Sequence, residues 1–161
     1  MAWIFRRRRN CEDKVDNINL LKNGEKFLEM LITSCNGKYN PVRGFSASEL
    51  KIATNNYDFQ KVVTYGRFHK LFKSFLQNRP VFVLKFEGSK GYQYCFNNIV
   101  FVSQIRHKNV LKLIGCCLET EIPILVFESV QYGTLADLIH NPDHKLQVDP
   151  LLLKHRLKIA T

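Results

Sequence analysis

Ser103-Gln104-Ile105-Arg106-His107-Lys108-Asn109-Val110-Leu111-Lys112-Leu113-Ile114-Gly115-Cys116-Cys117-Leu118-Glu119 reads as the end of a helix, a tight polar turn and then a strand. Arg106 to Asn109 supply the turn, with no apolar side chain among them. Beyond it Val110, Leu111, Leu113 and Ile114 form an apolar run whose β-branched members fit a pleated surface. Cys116 and Cys117 are adjacent in the strand, so alternation sends their side chains to opposite faces, where they read as buried structural thiols.

Working outward, a chain of 161 residues with 45% hydrophobic content is one globular domain, or one with an extension. It contains no run of 18 apolar residues that would suit a membrane span. In Met1-Ala2-Trp3-Ile4-Phe5-Arg6-Arg7-Arg8-Arg9 the charges follow a short apolar tip, the reverse of a secretory signal. Ala2 excludes the N-myristoylation pattern. Five cysteines (Cys11, Cys35, Cys95, Cys116, Cys117) with no C-x-x-C argue against a zinc site or a disulfide framework. They fit reduced thiols in a cytoplasmic protein. A net charge of +10 is compatible with nucleic acid or an anionic membrane. No interleaved aromatic-basic pattern and no zinc-finger spacing accompanies it, so no nucleic-acid partner is expected. Arg6, Arg7, Arg8 and Arg9 read as a solvated, disordered tail. The alternative is a weak peripheral hold on the plasma membrane, and one short patch anchors poorly alone.

Between Glu12 and Ile32 apolar residues recur at mostly helical spacing, but Gly24 interrupts, so a short helix is expected over 24–32. Residues 34–44 hold Asn36-Gly37, Asn40-Pro41 and Gly44 and read as a linker. The chain thus divides into 1–44 (basic tail, short helix, linker) and 45–161. Ser46 and Glu49 have capping-box spacing for a helix ended by Asn55-Asn56. Strands are expected over 59–65, 70–76 and 81–86, with Gly66-Arg67 and Gln77-Asn78-Arg79-Pro80 in the intervening turns. A helix follows over 92–104, a strand over 122–128, a short helix over 134–139, and a last helix from Leu151 to Thr161.

Four spaced blocks carry a resemblance: His107-Lys108-Asn109-Val110, Leu113 to Glu119, Leu125-Val126-Phe127-Glu128 and Gly133-Thr134-Leu135. With Phe45-Ser46-Ala47-Ser48-Glu49-Leu50-Lys51-Ile52-Ala53-Thr54, they resemble plant receptor-like kinases of the wall-associated-kinase-like branch. The resemblance implies an α+β protein-kinase-like N-lobe, a five-stranded antiparallel sheet with an αC helix. The αD helix and the start of αE would follow, without a complete C-lobe. Leu125, Val126 and the apolar face of αC would then help join the lobes and, if left uncovered, mark a partner site or an aggregation risk.

In such kinases a glycine-rich loop lets backbone N–H groups approach the phosphates of ATP, and a strand lysine paired with an αC carboxylate holds them. Here Thr64, Gly66 and His69 fill the three glycine positions, and Phe68 and His69 add bulk. Gly66 therefore reads as an ordinary hairpin turn glycine rather than as a phosphate-loop glycine. Phe82-Val83-Leu84-Lys85 resembles V-A-I-K, which puts Lys85 in the place of the lysine, on the face of Val83 that looks into the cleft. Asn98 takes the place of the αC carboxylate, Phe127 that of the gatekeeper, and Glu128-Ser129-Val130 that of the hinge. Lys85, Gly66, Phe127, Glu128 and Val130 are the positions of a degenerate ATP site. Hinge contacts use backbone groups, so an adenine-sized pocket is compatible with the loss of catalysis, and no cofactor is required.

Neither H-R-D-x-x-x-x-N nor D-F-G occurs in these residues. His140 and His144 are four apart, but Pro142 between them disfavours a shared helix face, so no metal site is expected. The resemblance is to plant receptor-like cytoplasmic pseudokinases of the hopZ-ETI-deficient type, truncated after the N-lobe. It implies a cytoplasmic adaptor or decoy whose partners are a leucine-rich-repeat immune receptor, an active receptor-like cytoplasmic kinase or a pathogen effector. The rival readings are an ATP-binding serine/threonine kinase-like protein and a non-functional truncated product.

Overall fold

The computed structural model describes residues 2–35, 42–105, 107 and 110–130, with backbone alone for 2–13, 34, 35 and 103. The chain separates into two compact units, Met1–Ser129 and Val130–Thr161. The expected helices at 134–139 and 151–161, and the turn residues Arg106, Lys108 and Asn109, lie outside the described residues.

Within the first unit the elements are α1 (Ala2–Cys35), β1 (Arg43–Gly44), α2 (Ala47–Ala53), a 3-10 turn (Phe59–Lys61), β2 (Val62–Tyr65), β3 (His69–Leu76), β4 (Arg79–Phe86), α3 (Gly91–Gln104), β5 (Leu113–Cys117) and β6 (Ile124–Glu128). The sheet runs β1-β5-β6-β4-β3-β2. Its five main strands pair antiparallel, as expected for the N-lobe. A sixth strand corrects that count: β1, read from sequence as linker, pairs parallel with β5 through Arg43↔Gly115 and Gly44↔Cys116.

Local chemistry sets each boundary. At α2 both halves of the capping box form: the Glu49 N–H donates to Ser46 Oγ at 3.2 Å, and the Ser46 N–H donates to Glu49 Oε2 at 2.8 Å. Asn55 and Asn56 end the helix at φ 54° and 56°, a region asparagine tolerates. The β3–β4 hairpin turns on Gln77 and Asn78 alone, both at positive φ as a primed two-residue turn requires. Arg79 and Pro80 therefore belong to β4, opposite Leu76 and Phe75, rather than to the turn.

Two apolar layers sandwich the sheet. On one face α3 packs Cys95, Phe96 and Ile99 against Phe82, Phe86, Leu125 and Phe127. On the other, Phe45, Ala47 and Leu50 of the α2 segment cover Phe72, Val81, Val83 and Val126. Leu125 and Val126 are fully buried in these opposite layers, so they do not form the uncovered patch anticipated for a lobe joint. Cys116 and Cys117 fall in the two different layers, as alternation requires.

α1 is a single 34-residue helix, which corrects both the short helix at 24–32 and the disordered tail. Gly24 costs a helix interior about 1 kcal/mol relative to alanine, too little to break one fixed by tertiary contacts. Phe27 and Leu31 join the α3-side core, and buried Asn23 donates from Nδ2 to the carbonyls of Leu118 (2.9 Å) and Thr120 (2.8 Å). No helix among the described residues is long and apolar enough to cross a membrane.

The opening stretch is the seat for these N-terminal segments. At Gly115 a Cβ would stand 2.2 Å from the Phe45 ring and 2.6 Å from the Arg43 carbonyl, so only glycine admits β1 and Phe45 there. The Ala47 N–H at the start of α2 donates to Glu119 Oε2 at 2.7 Å. A carboxylate at a helix N-terminus satisfies an orphan donor and complements the helix dipole.

Candidate nucleotide site

The turn between β2 and β3 occupies the place of the glycine-rich loop. Gly66 closes it with its N–H donating to the His69 carbonyl at 2.9 Å. The His69 imidazole lies directly against Gly66, where a Cβ would stand 2.5 Å from Cε1. A side chain at Gly66 would have to displace that ring. The same imidazole meets the Phe86 ring at 6.2 Å, placing it on the α3 side of the sheet. Phe68 stacks on Tyr94 of α3 at 5.2 Å and 19°, with the Arg67 guanidinium 5.4 Å from the Phe68 ring. Side chains occupy the underside of the loop and tie its tip to the helix, where a phosphate-binding loop keeps open backbone N–H groups.

β4 overturns the sequence reading of the lysine. A lysine that pairs with a carboxylate on αC must project from the face that α3 covers. That face of β4 presents Phe82, Leu84 and Phe86, all in or against the α3-side core. Val83 and Lys85 project from the other face, Val83 into the layer beneath α2. The Lys85 ammonium lies 5.0 Å over the Tyr57 ring and bonds Glu87 Oε1 at 3.0 Å; Lys70 bonds the second oxygen, Oε2, at 2.9 Å. Hydrogen bonds from Lys70 first and then Lys85 hold the Glu87 carboxyl below the usual carboxylate range. The structural frame is therefore Val83-Leu84-Lys85-Phe86 on V-A-I-K, one residue on from the sequence match. Leu84 pairs with Leu71, the residue that ends the glycine-loop pattern, and buried Phe86 stands where the lysine belongs.

The remaining positions have contacts of their own. The Asn98 amide donates to the Tyr94 carbonyl one turn back at 2.9 Å, a bond internal to α3. Phe127 is buried on the α3 side beside Leu125 and Leu113, a fitting place for a gatekeeper. Glu128 closes β6 on the chain before β5: its N–H donates to the Lys112 carbonyl at 3.0 Å and its carboxylate accepts from the Lys112 N–H at 2.9 Å. Val130, at the start of the second unit, is exposed. The structure thus brings Gly66, His69 and Phe86 together and leaves Lys85 on the opposite face. Burial raises the thiols of Cys95, Cys116 (to about 12) and Cys117, so none is a ready nucleophile. The residues present do not fit ATP in the manner of the family, because no cation stands on the α3-facing side of β4 and the loop is filled.

An N-lobe sheet, an αC helix and this altered site define a kinase-like domain. The family model for protein tyrosine and serine/threonine kinases matches residues 57–161, and the chain belongs to that family. Among its relatives in Arabidopsis thaliana, the non-functional pseudokinase ZRK2 is 39% identical over 120 residues, which is 71% of this chain and 33% of the relative. The non-functional pseudokinase ZED1 is 38% identical over 144 residues, 87% of this chain and 42% of the relative. The putative wall-associated receptor kinase-like 16 is 32% identical over 142 residues, 86% of this chain and 32% of the relative. The chain spans between 19% and 42% of the length of such curated relatives.

Proposed function

We propose that this is a catalytically inactive, cytoplasmic kinase-like protein that acts through protein contacts, as an adaptor or decoy in plant immune signalling. The observation that carries the inactivity is on β4: Phe86, not a lysine, stands on the face toward α3. Phosphoryl transfer rests almost wholly on positioning and charge stabilisation, so a site whose phosphate cation is replaced by a buried ring has lost its main lever. Asn98 in place of the αC carboxylate and His69 under the loop point the same way. Relatives named non-functional pseudokinases support the reading. The adaptor role, with an immune receptor, an active cytoplasmic kinase or a pathogen effector as partner, is what the resemblance drawn from the sequence implies.

The test is a titration with Mg-ATP read by thermal shift, beside a labelled-phosphate transfer assay. No saturable stabilisation and no transfer are expected for the wild type. Saturable stabilisation lost in Lys85→Ala would show that Lys85 serves nucleotide after all. Phosphate transfer by the chain would overturn the reading outright.

A further inference from the structure

α1 has two apolar faces. One, with Asn23, Phe27 and Leu31, is buried against the body of the domain. The other carries Ile18, Leu21, Leu28 and Ile32, which are 64%, 75%, 57% and 71% exposed. At 3.6 residues per turn these four fall within about 80° of one another, on the side of the helix opposite Asn23. Their spacing of three and seven, then four, is that of a coiled-coil a/d seam in which Glu25 fills the one polar position. Lys22 and Glu29 flank the seam along one edge.

We propose that this stripe is the interface of a homodimer, with α1 of two copies packed antiparallel. Charge selects both the occupant and its direction. A parallel pair would set Glu25 against Glu25 in the seam and leave Lys22 and Glu29 without opposite partners across it. The antiparallel pair sets Leu21 opposite Ile32 and Glu25 opposite Leu28, and lays Lys22 of each copy beside Glu29 of the other. Glu25 and Glu29 beside the stripe oppose an anionic lipid surface, whereas alternating charges fit a helix of the same sequence. The helix is already ordered by its docked face, which lowers the cost of pairing. Because seam and docked face are centred about 140° apart around the helix, the two bodies lie on different sides of the helix pair. Glu29 already meets Lys26 at 2.9 Å in an exposed contact, and Lys22 lies 5.4 Å from the half-buried Tyr92 ring. A carboxylate accepts several hydrogen bonds, so the first does not saturate Glu29.

Sedimentation velocity on the full chain over a wide concentration series reads this directly. The mass is expected to rise from 18.8 kDa toward twice that value. Lys22→Glu and Glu29→Lys should each weaken the dimer about tenfold, since each turns two attractive pairs into repulsive ones. An equimolar mixture of those two variants should associate again, because opposite charges then face each other in the mixed dimer. Glu25→Leu should tighten association, and Leu21→Asp with Leu28→Asp should abolish it while the circular dichroism of the monomer stays unchanged. A chain that remains monomeric at every concentration overturns the proposal, as does a dimer indifferent to the Lys22 and Glu29 reversals. A monomer that binds phosphatidylserine vesicles, and loses them on Leu21→Asp, overturns it in favour of lipid.

Discussion

Gly115→Ala tests the seat for the N-terminal segments. The added methyl meets the Phe45 ring at 2.2 Å and the Arg43 carbonyl at 2.6 Å. A ring can swing aside, but the carbonyl belongs to β1 and moves only if the β1–β5 pairing opens. Phe45, 7% exposed, then loses part of a burial worth about 2–3 kcal/mol. The bond from the Phe45 N–H to the Cys116 carbonyl, 2.9 Å, is worth about 1 kcal/mol more. Relaxation recovers some of this, leaving a destabilisation of about 2–4 kcal/mol. At roughly 2–4 °C per kcal/mol for a chain of this size, Tm falls on the order of 10 °C. The control is Gly44→Ala in β1, where nothing lies within 4 Å of the new methyl. Thermal melts of the two variants decide the matter. If Gly115→Ala melts with Gly44→Ala and the wild type, the close approach is not what glycine serves there.

Asn23→Ala removes two donors from part-buried carbonyls and should cost about 2–3 kcal/mol in denaturant unfolding. Asn23→Asp, nearly isosteric, should cost more, because it sets acceptors against those carbonyls; equal stability of Asp and wild type would refute the assigned bonds. The folded-state pKa of Glu87 is depressed, so its contribution is present above the ordinary value of 4.5 and is lost as pH falls through the lower, folded value. Glu87→Gln should therefore narrow its stability gap from the wild type as pH drops below that point, and a gap that widens would reverse the sign. Labelled-thiol mapping at pH 8 should find Cys95, Cys116 and Cys117 protected until the chain unfolds, since burial raises all three thiols. Fast native-state labelling of Cys116 would contradict its place in the core.

The helices and strands of the N-lobe were legible because each carries a local signal: the Ser46 and Glu49 box, the Asn55-Asn56 stop, the alternation that splits Cys116 from Cys117. The phase of β4 was not. Val81, Phe82, Val83, Leu84 and Phe86 form a near-continuous apolar run because α2 covers one face and α3 the other. A strand buried on both faces has no alternation to read, so a motif match fixed its phase, one residue short of the structural one. β1 escaped notice because two residues carry no period, and their signal sits 72 positions away in the space at Gly115. The length of α1 was hidden by Gly24, whose local penalty is outweighed by the distant carbonyls that Asn23 reaches. In the site, Gly66 and His69 were legible as residues, while their mutual contact, and Glu87 as the partner of Lys85, required the fold.

The docking of α1 also orders events in time. Asn23 and its acceptor Thr120 are separated by 97 positions in sequence. At roughly 5–20 residues per second on the ribosome, α1 emerges some 5–20 s before the turn it grips has been made. Through that interval both of its apolar faces are bare. The helix is thus made well before the turn that seats it, and in that interval it is a substrate for chaperones that shield amphipathic helices.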